Sequence, residues 1–422
     1  MRRARNIAFT IFGIVLLSAF IIHPAAADPI ISGIEDTYWN DWSKILHTSS
    51  PLTSVDNDLD DPLVYLQSST PPDIFRIQAT RENFKAIVQA ELLEPFEPSE
   101  KMKEEIKNFP PVIQSVMQEL VCNEDGLLLG YPRSLSLQGM LFWVPDAWNA
   151  SPFKDATPPT SFTEVLDFLE LYLNTPHDGF CFYYDISESK NPLRNNWMSM
   201  LIECYSIQCR NQGISINFNN EEFIELAQRT KDLFSQLCKE EPNIKKQKGR
   251  QLFCTYYHGY TENGKDTFSW DNLIPWRITS EQRPLVNVNL WLYCLRKGSE
   301  FSDYAQVLFD NVIDHRKDLV HGQDNWLAYL YVNNTWINVS EYNKRIDKQH
   351  GKKWKCFYMT QEYIDSIWRL QEHAEACMEM RNYLSAFIPW ETHKEYFRII
   401  DEFLAGSIPA DEFAQKITEL GE

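Results

Sequence analysis

Short apolar runs alternate along this chain with longer stretches in which apolar side chains recur every three or four positions. Residues 71–77 read as a short buried strand, and residues 83–93 as the helix that follows it. Residues 92–96 close that unit. Strand and helix in alternation predict parallel strands with crossover helices, and such sheets bind ligands at the carboxyl ends of their strands. Gln78, Ala79 and Thr80 lie just past one such end. In residues 126–148 two short apolar strands flank a loop over 132–138, which carries Arg133, Ser134, Ser136 and Gln138 and so offers hydrogen-bonding groups at the mouth of a sheet.

Residues 161–173 form an amphipathic helix with Phe162, Val165, Leu166 and Leu169 on one face, and Ser161 and Glu164 have capping-box spacing. A strand is expected over 180–186 and a helix over 195–212, ended by Gly213; Asn219 caps the next helix, which carries Phe223, Ile224, Leu226 and Ala227. Residues 239–250, basic and polar, read as a surface loop. From 284 to 295 the aliphatic Leu285, Val286, Val288, Leu290 and Leu292 are set against Asn287, Asn289, Trp291 and Tyr293, so that one face packs and the other can meet a ligand. Gly298 and Ser299 turn into a helix over 302–313, and helical patterns follow over 363–383 and 396–404. The chain is thus expected to leave one α/β lobe near Phe142, build a second, and return near Pro284, a crossing that makes a hinge. Residues 28–142 and 284–335 would form the first lobe, and 143–283 with 336–422 the second, with helices at its carboxyl end.

Residues 1–27 have the form of a secretory signal: Arg2, Arg3 and Arg5 precede an apolar run over 7–22, and Ala25 to Ala27 offer a small-residue cleavage site. The run is shorter than the ~20 residues that span a bilayer, which favours cleavage over an anchor. No Cys follows the site, so a lipid anchor of the usual form is not encoded. The protein is therefore expected to be secreted, on the extracellular face of the cell envelope or in the periplasm. A formal charge of −19, from 40 Lys+Arg against 59 Asp+Glu, excludes a nucleic-acid partner, which would need a basic face. The nine Cys show no metal-ligand spacing, and contexts such as Phe180-Cys181-Phe182 point to buried free thiols. The acidic run over 56–61 begins like a calcium loop but lacks the glycine at its sixth position and has Gln67 at its twelfth; it reads as a solvated loop.

Taken in order, residues 72–75, the segment 126–148, the strand and helix over 284–313, and the tail over 403–413 resemble the extracellular solute-binding proteins of ABC importers, in their sugar-binding-like branch. The likeness covers most of the mature chain, and residues 214–276 depart from the better-known sugar binders. It implies an α/β, type II periplasmic-binding-protein-like fold of two lobes joined by a hinge, a ligand held between the lobes, and a permease that docks on the closed form.

The chain has 13 Trp and is 14% aromatic, and tryptophan is the residue that stacks on the apolar face of a pyranose. Most tryptophans simply pack in cores. Trp291, on the polar side of its strand, and Trp197 are the stronger aromatic candidates, followed by Trp39, Tyr256 and Trp270. Arg133 suits a carboxylate or vicinal hydroxyls, and Gln78, Ser134, Gln138 and Asn289 suit hydroxyl recognition, since amides donate and accept at once. The expected function is capture of a small polar ligand, read as a carbohydrate, by a monomer that needs no cofactor and delivers its ligand to a permease. A sugar-sensing domain for a membrane receptor keeps the same fold. A secreted glycoside hydrolase would need only two carboxylates, but no nucleophile elbow, zinc-binding helix or Cys/His constellation accompanies them, and the chain is not read as an enzyme.

Overall fold

The computed structural model describes residues 30–32, 53–55, 66–67, 71–79, 81–107, 111–183, 192–240, 250–254, 270–301 and 392–421, with shorter pieces between 305 and 385. The leader over 1–27, the acidic loop over 56–61, Trp39 and Tyr256 lie outside the described residues.

In chain order the strands are β1 (Ile30–Ser32), β2 (Thr53–Val55), β3 (Ile74–Ala79), β4 (Tyr131–Gln138), β5 (Leu141–Trp143), β6 (Phe180–Tyr183), β7 (Arg250–Cys254), β8 (Leu273–Ile274), β9 (Leu285–Leu295), β10 (Glu375–Cys377), β11 (Met380–Arg381) and β12 (Leu384–Ser385). The helices are α1 (Arg81–Gln89), α2 (Glu100–Lys107), α3 (Pro111–Val116), α4 (Pro145–Ala150), α5 (Phe162–Leu173), α6 (Pro192–Asn211), α7 (Glu221–Glu240), α8 (His393–Ala405) and α9 (Ala410–Leu420).

Two sheets organise them. In the first, β1 lies between β2 and β3, all parallel, as the strand and helix alternation predicts. The long β9 then runs antiparallel to β3 on one side and to β4 on the other, so β4 points the same way as β3. β10 runs parallel to the amino end of β9. The second sheet has the order β6-β7-β5-β8.

The two-faced reading of residues 284–295 requires correction. Leu285, Val286, Val288, Leu290 and Leu292 are buried as expected, but on the other face Asn287 is 1% exposed and Tyr293 3%. Tyr293 and Tyr131 both stack on Phe309, at 6.3 and 5.8 Å between ring centroids. Much of β9 is therefore covered on both faces, as a central strand flanked by partners tends to be. Trp291 alone among its described side chains keeps partial exposure.

Residues 132–138 are likewise a strand, not a loop. Their backbone pairs with β9 from Tyr131 opposite Tyr293 to Gln138 opposite Asn287, and the register shifts between Pro132 and Ser134. That bulge accommodates a proline, which has no N–H for the ladder.

The chain passes from the first sheet to the second at Gly139 and Met140 and returns at Leu285. Met140 N–H donates to Ile274 O at 2.8 Å, and Trp276 N–H to Leu285 O at 2.8 Å. Glu375 N–H donates to Pro284 O at 3.0 Å, which brings a third pass, ending in β10, to the same place. A Cβ on Gly139 would lie 2.4 Å from Leu273 Cδ1 and 2.7 Å from Ile274 O, closer than real Cβ contacts come. Only glycine fits this crossing.

Around the second sheet the core is aromatic: Trp148 stacks on Phe168 at 4.5 Å, and Phe182 meets Phe253 at 4.9 Å. Helix α5 starts as its sequence predicts, with Ser161 Oγ accepting from Glu164 N–H at 3.3 Å. The reciprocal half differs, since the Glu164 carboxylate accepts from Thr160 N–H at 2.7 Å instead of from Ser161. Asn220, one residue later than expected, caps α7 by accepting from Phe223 N–H at 3.0 Å.

The helical pattern over 363–383 is overridden where residues 375–377 form β10, because the edge of β9 supplies backbone partners that outweigh local propensity. Helix α8 ends at Gly406 in the left-handed region, φ 80°. This turn folds α9 back so that Phe413 stacks on Phe403 at 4.3 Å and faces Phe223 of α7 at 6.4 Å. Among the described residues Cys209, Cys254 and Cys294 are buried free thiols and Cys122 is free and half-buried, while Cys181 and Cys204 are buried and Cys238 half-buried. No helix among the described residues is long and apolar enough to cross a membrane.

Candidate functional site

Strand register brings several candidate residues into rows. Gln78 of β3 lies opposite Trp291 of β9, and Trp291 lies opposite Ser134 of β4. One step toward the crossing, Asn289 faces Ser136, and one further step on, Asn287 faces Gln138. Paired residues on neighbouring strands project to the same side of a sheet, and alternate residues to opposite sides. Gln78, Ser134, Ser136, Gln138, Asn287, Asn289 and Trp291 therefore occupy positions on one face. The opposite face holds Ile77, Ala79, Val288, Leu290 and Leu292, all buried. The polar positions run from the middle of the sheet toward Gly139, where the chain crosses to the second sheet. At their far end Tyr131 and Tyr293 close the row with packed rings.

Arg76 belongs to the same face, since it pairs with Tyr293. It is half-buried, and its guanidinium carbon sits 4.6 Å from the centroid of the Trp291 ring. A cation over an indole face gains roughly 0.5–2 kcal/mol, more as water is excluded. Trp291 thus sits beside Arg76 and keeps partial exposure.

The remaining candidates fall elsewhere. Arg133 sits at the bulge of β4, next to the row. Trp270 opens the turn Trp270–Asn272 that leads into β8, on the second sheet near the crossing. Trp197 does not reach a surface: it is 1% exposed, stacks on Phe234 at 4.3 Å and lies 5.8 Å from Phe182. Its indole completes the aromatic core, because helix α6 turns that position inward. Sequence reasoning did not single out Arg76, and it placed Ser136 on a loop and Asn287, here buried, on a ligand-facing side of its strand. The pairing that gathers them is long-range, although the polar alternation of residues 134, 136 and 138 against 287, 289 and 291 is written in the chain.

An ion pair and two hydrogen bonds frame the crossing. Arg283 pairs with Glu375 at the start of β10, and Gln208 Nε2 of α6 donates to Trp276 O at 2.7 Å and to Arg283 O at 3.2 Å. Burial pushes the Cys254 thiol up to about 12 and raises that of Cys294 as well, so both stay protonated and neither is a nucleophile.

No protein-family model matches the chain, and no curated protein matches it. Solved structures do. A chitin oligosaccharide binding protein aligns with 10% identity over 94% of this chain and 98% of its own, with a TM-score of 0.51. The bacterial solute receptor AcbH, described as having an exclusive substrate preference for β-D-galactopyranose, aligns with 10% identity over 92% of this chain and 95% of its own, with a TM-score of 0.52. A structure from work on xylan utilization by the thermophilic bacterium Caldanaerobius polysaccharolyticus aligns with 12% identity, 93% and 99% coverage, and a TM-score of 0.51. At such identities the likeness establishes the fold: two α/β lobes joined at a hinge, spanning nearly the whole of each chain.

Proposed function

We propose that this protein captures a carbohydrate between its two lobes and delivers it to the permease of an ABC importer. The observation that carries the reading is the row Gln78, Trp291 and Ser134 across three strands, continued by Asn289 and Gln138 toward the crossing. An aromatic ring set among amides and hydroxyls is what a pyranose needs: a platform for its C–H face, and donors and acceptors for its hydroxyls. The structural neighbours, named for chitin oligosaccharide, galactopyranose and xylan, support saccharide as the ligand class.

The lobes are assigned to residues 28–142 with 284–335 and to 143–283 with 336–422, apart from β5, which lies in the second sheet, and β10, which lies in the first. The passes at Gly139–Met140, at 274–285 and at 374–377 serve as the hinge. Ligand stabilises the closed arrangement by binding it more tightly than the open one. The protein is exported, acts as a monomer, and converts nothing: ATP is consumed at the permease. The test is a thermal-shift screen against mono- and oligosaccharides, peptides and polyamines. A ligand at 100 times its dissociation constant adds about 2.7 kcal/mol of stability. A saccharide response that Trp291→Ala removes supports the reading, and a response to peptides or polyamines alone overturns it.

A further inference from the structure

Among the described residues, the three passes between the sheets meet the second lobe on one short segment, residues 271–276. The outgoing pass rests on its middle: Met140 N–H donates to Ile274 O at 2.8 Å, Leu141 and Phe142 pair with Ile274 and Leu273, and Gly139 lies too close to Leu273 for any larger residue. The return pass is fixed at its far end. There Trp276 and Leu285 exchange both backbone hydrogen bonds, at 2.8 and 3.3 Å, and the buried amide of Gln208 donates to Trp276 O and Arg283 O. The third pass is tied to its near end by a side chain: Arg369 Nη2 donates to Asp271 Oδ2 at 2.6 Å and Nε to Oδ1 at 3.2 Å. Shortly after, Glu375 enters the first sheet beside Leu285. Two hydrogen bonds from one guanidinium to one carboxylate fix orientation as well as distance.

We infer that residues 271–276 are the pivot of lobe closure and that Arg369, through Asp271, is a positioning residue for ligand capture. This rests on the two-lobed capture reading above. With the third pass tied down, all three passes bend about a single short segment, and the lobes keep one closing path. Released, that pass adds arrangements in which the lobes do not meet on a ligand, and the fraction of molecules competent to bind falls. A change in that fraction multiplies every dissociation constant by the same factor, whatever the ligand. The two side chains are 41% and 42% exposed, and an exposed ion pair contributes little to stability, so its loss leaves the fold in place. The pair tunes the hinge without holding the protein together.

The experiment uses the purified full chain and its Arg369→Gln, Asp271→Asn and doubly substituted variants, with calorimetry against chitobiose, chitotriose, xylobiose and xylotriose, and hydrogen exchange without ligand. Each single variant is expected to weaken every saccharide that binds by one common factor, roughly two- to fivefold, the range an exposed ion pair commands. The double variant should lose no more than either single one, because both remove the same interaction. Exchange over 374–377 should quicken by a similar factor while that over 250–254 and the unliganded thermal midpoint hold. Arg369→Lys, which keeps the charge and loses the fork, should recover only part of the affinity. Losses that differ from one saccharide to the next would mark a ligand contact and overturn the inference while leaving the carbohydrate reading standing. Losses that add in the double variant overturn it as well, as does unchanged exchange over 374–377, a readout that needs no ligand. A response to peptides or polyamines alone overturns the carbohydrate reading, and the same common-factor comparison on two such ligands then decides the pivot.

Discussion

Trp197 and Trp291 share a side chain and differ in everything around it. Trp197 lies between Phe182 and Phe234 and is 1% exposed, so truncation removes buried area and leaves a cavity. Trp197→Ala is expected to lower stability by about 3–5 kcal/mol in denaturant melts and to leave ligand affinity unchanged at temperatures where the variant is folded. Trp291 is half-buried on the polar face under Arg76. Trp291→Ala should therefore abolish the ligand-induced thermal shift at a smaller loss of stability. The sequence made both residues candidates because each follows or joins polar neighbours, and local context says nothing of which way a helix turns. Trp291 was legible through the alternation of β9; Trp197 was not, since the burial of α6 depends on Phe182 and Phe234, distant in the chain. Arg76 escaped notice for the same reason: between Phe75 and Ile77 it looks like a strand residue facing solvent, and only pairing with β9 sets it beside Trp291.

At the scale of elements, the start of α5 and the crossing at Gly139 show what local pattern can and cannot foretell. Ser161 and Glu164 announce a helix start by spacing alone, and Ser161→Ala is expected to lose about 1 kcal/mol. The carboxylate of Glu164 adds a pH dependence. Burial pushes its pKa up, but N–H and hydroxyl donation from Thr160, a Ser280 hydrogen bond and the charge of Arg277 outweigh burial and hold it below the usual carboxylate range. A depressed folded pKa gives stability that is present above the unfolded value and lost as pH falls through the lowered folded one. Equilibrium melts should show Glu164→Gln flattening that acid limb, and an unchanged limb would show that this carboxylate contributes nothing to it. Gly139, by contrast, follows an ordinary strand and carries no turn signature. Its need arises from Leu273 and Ile274, more than a hundred positions on, and Gly139→Ala is expected to destabilise by about 1–3 kcal/mol through overpacking. The strand β10 was hidden for the same reason, since a helical pattern over 363–383 gives way to pairing that only β9 can offer.

Across the whole molecule the alternation of strands and helices foretold an α/β chain, and the structure places the crossing between its sheets at Gly139 and Met140 and the return at Leu285. What the pattern did not foretell is that β9 would lie antiparallel between β3 and β4. Under the proposed function, binding and hinge motion are coupled, since β4 leads into the crossing at Gly139, β9 begins at the return, and both carry positions on one face of the sheet. On the same proposal, ligand stabilises the closed form by binding it more tightly than the open one. Small-angle scattering should then show the radius of gyration falling as ligand is added, at the same midpoint concentration as the thermal shift, with the far-ultraviolet spectrum unchanged. Stability that rises while the radius stays fixed would keep the ligand and discard the hinge, and would place the whole site on the face of β3, β4 and β9.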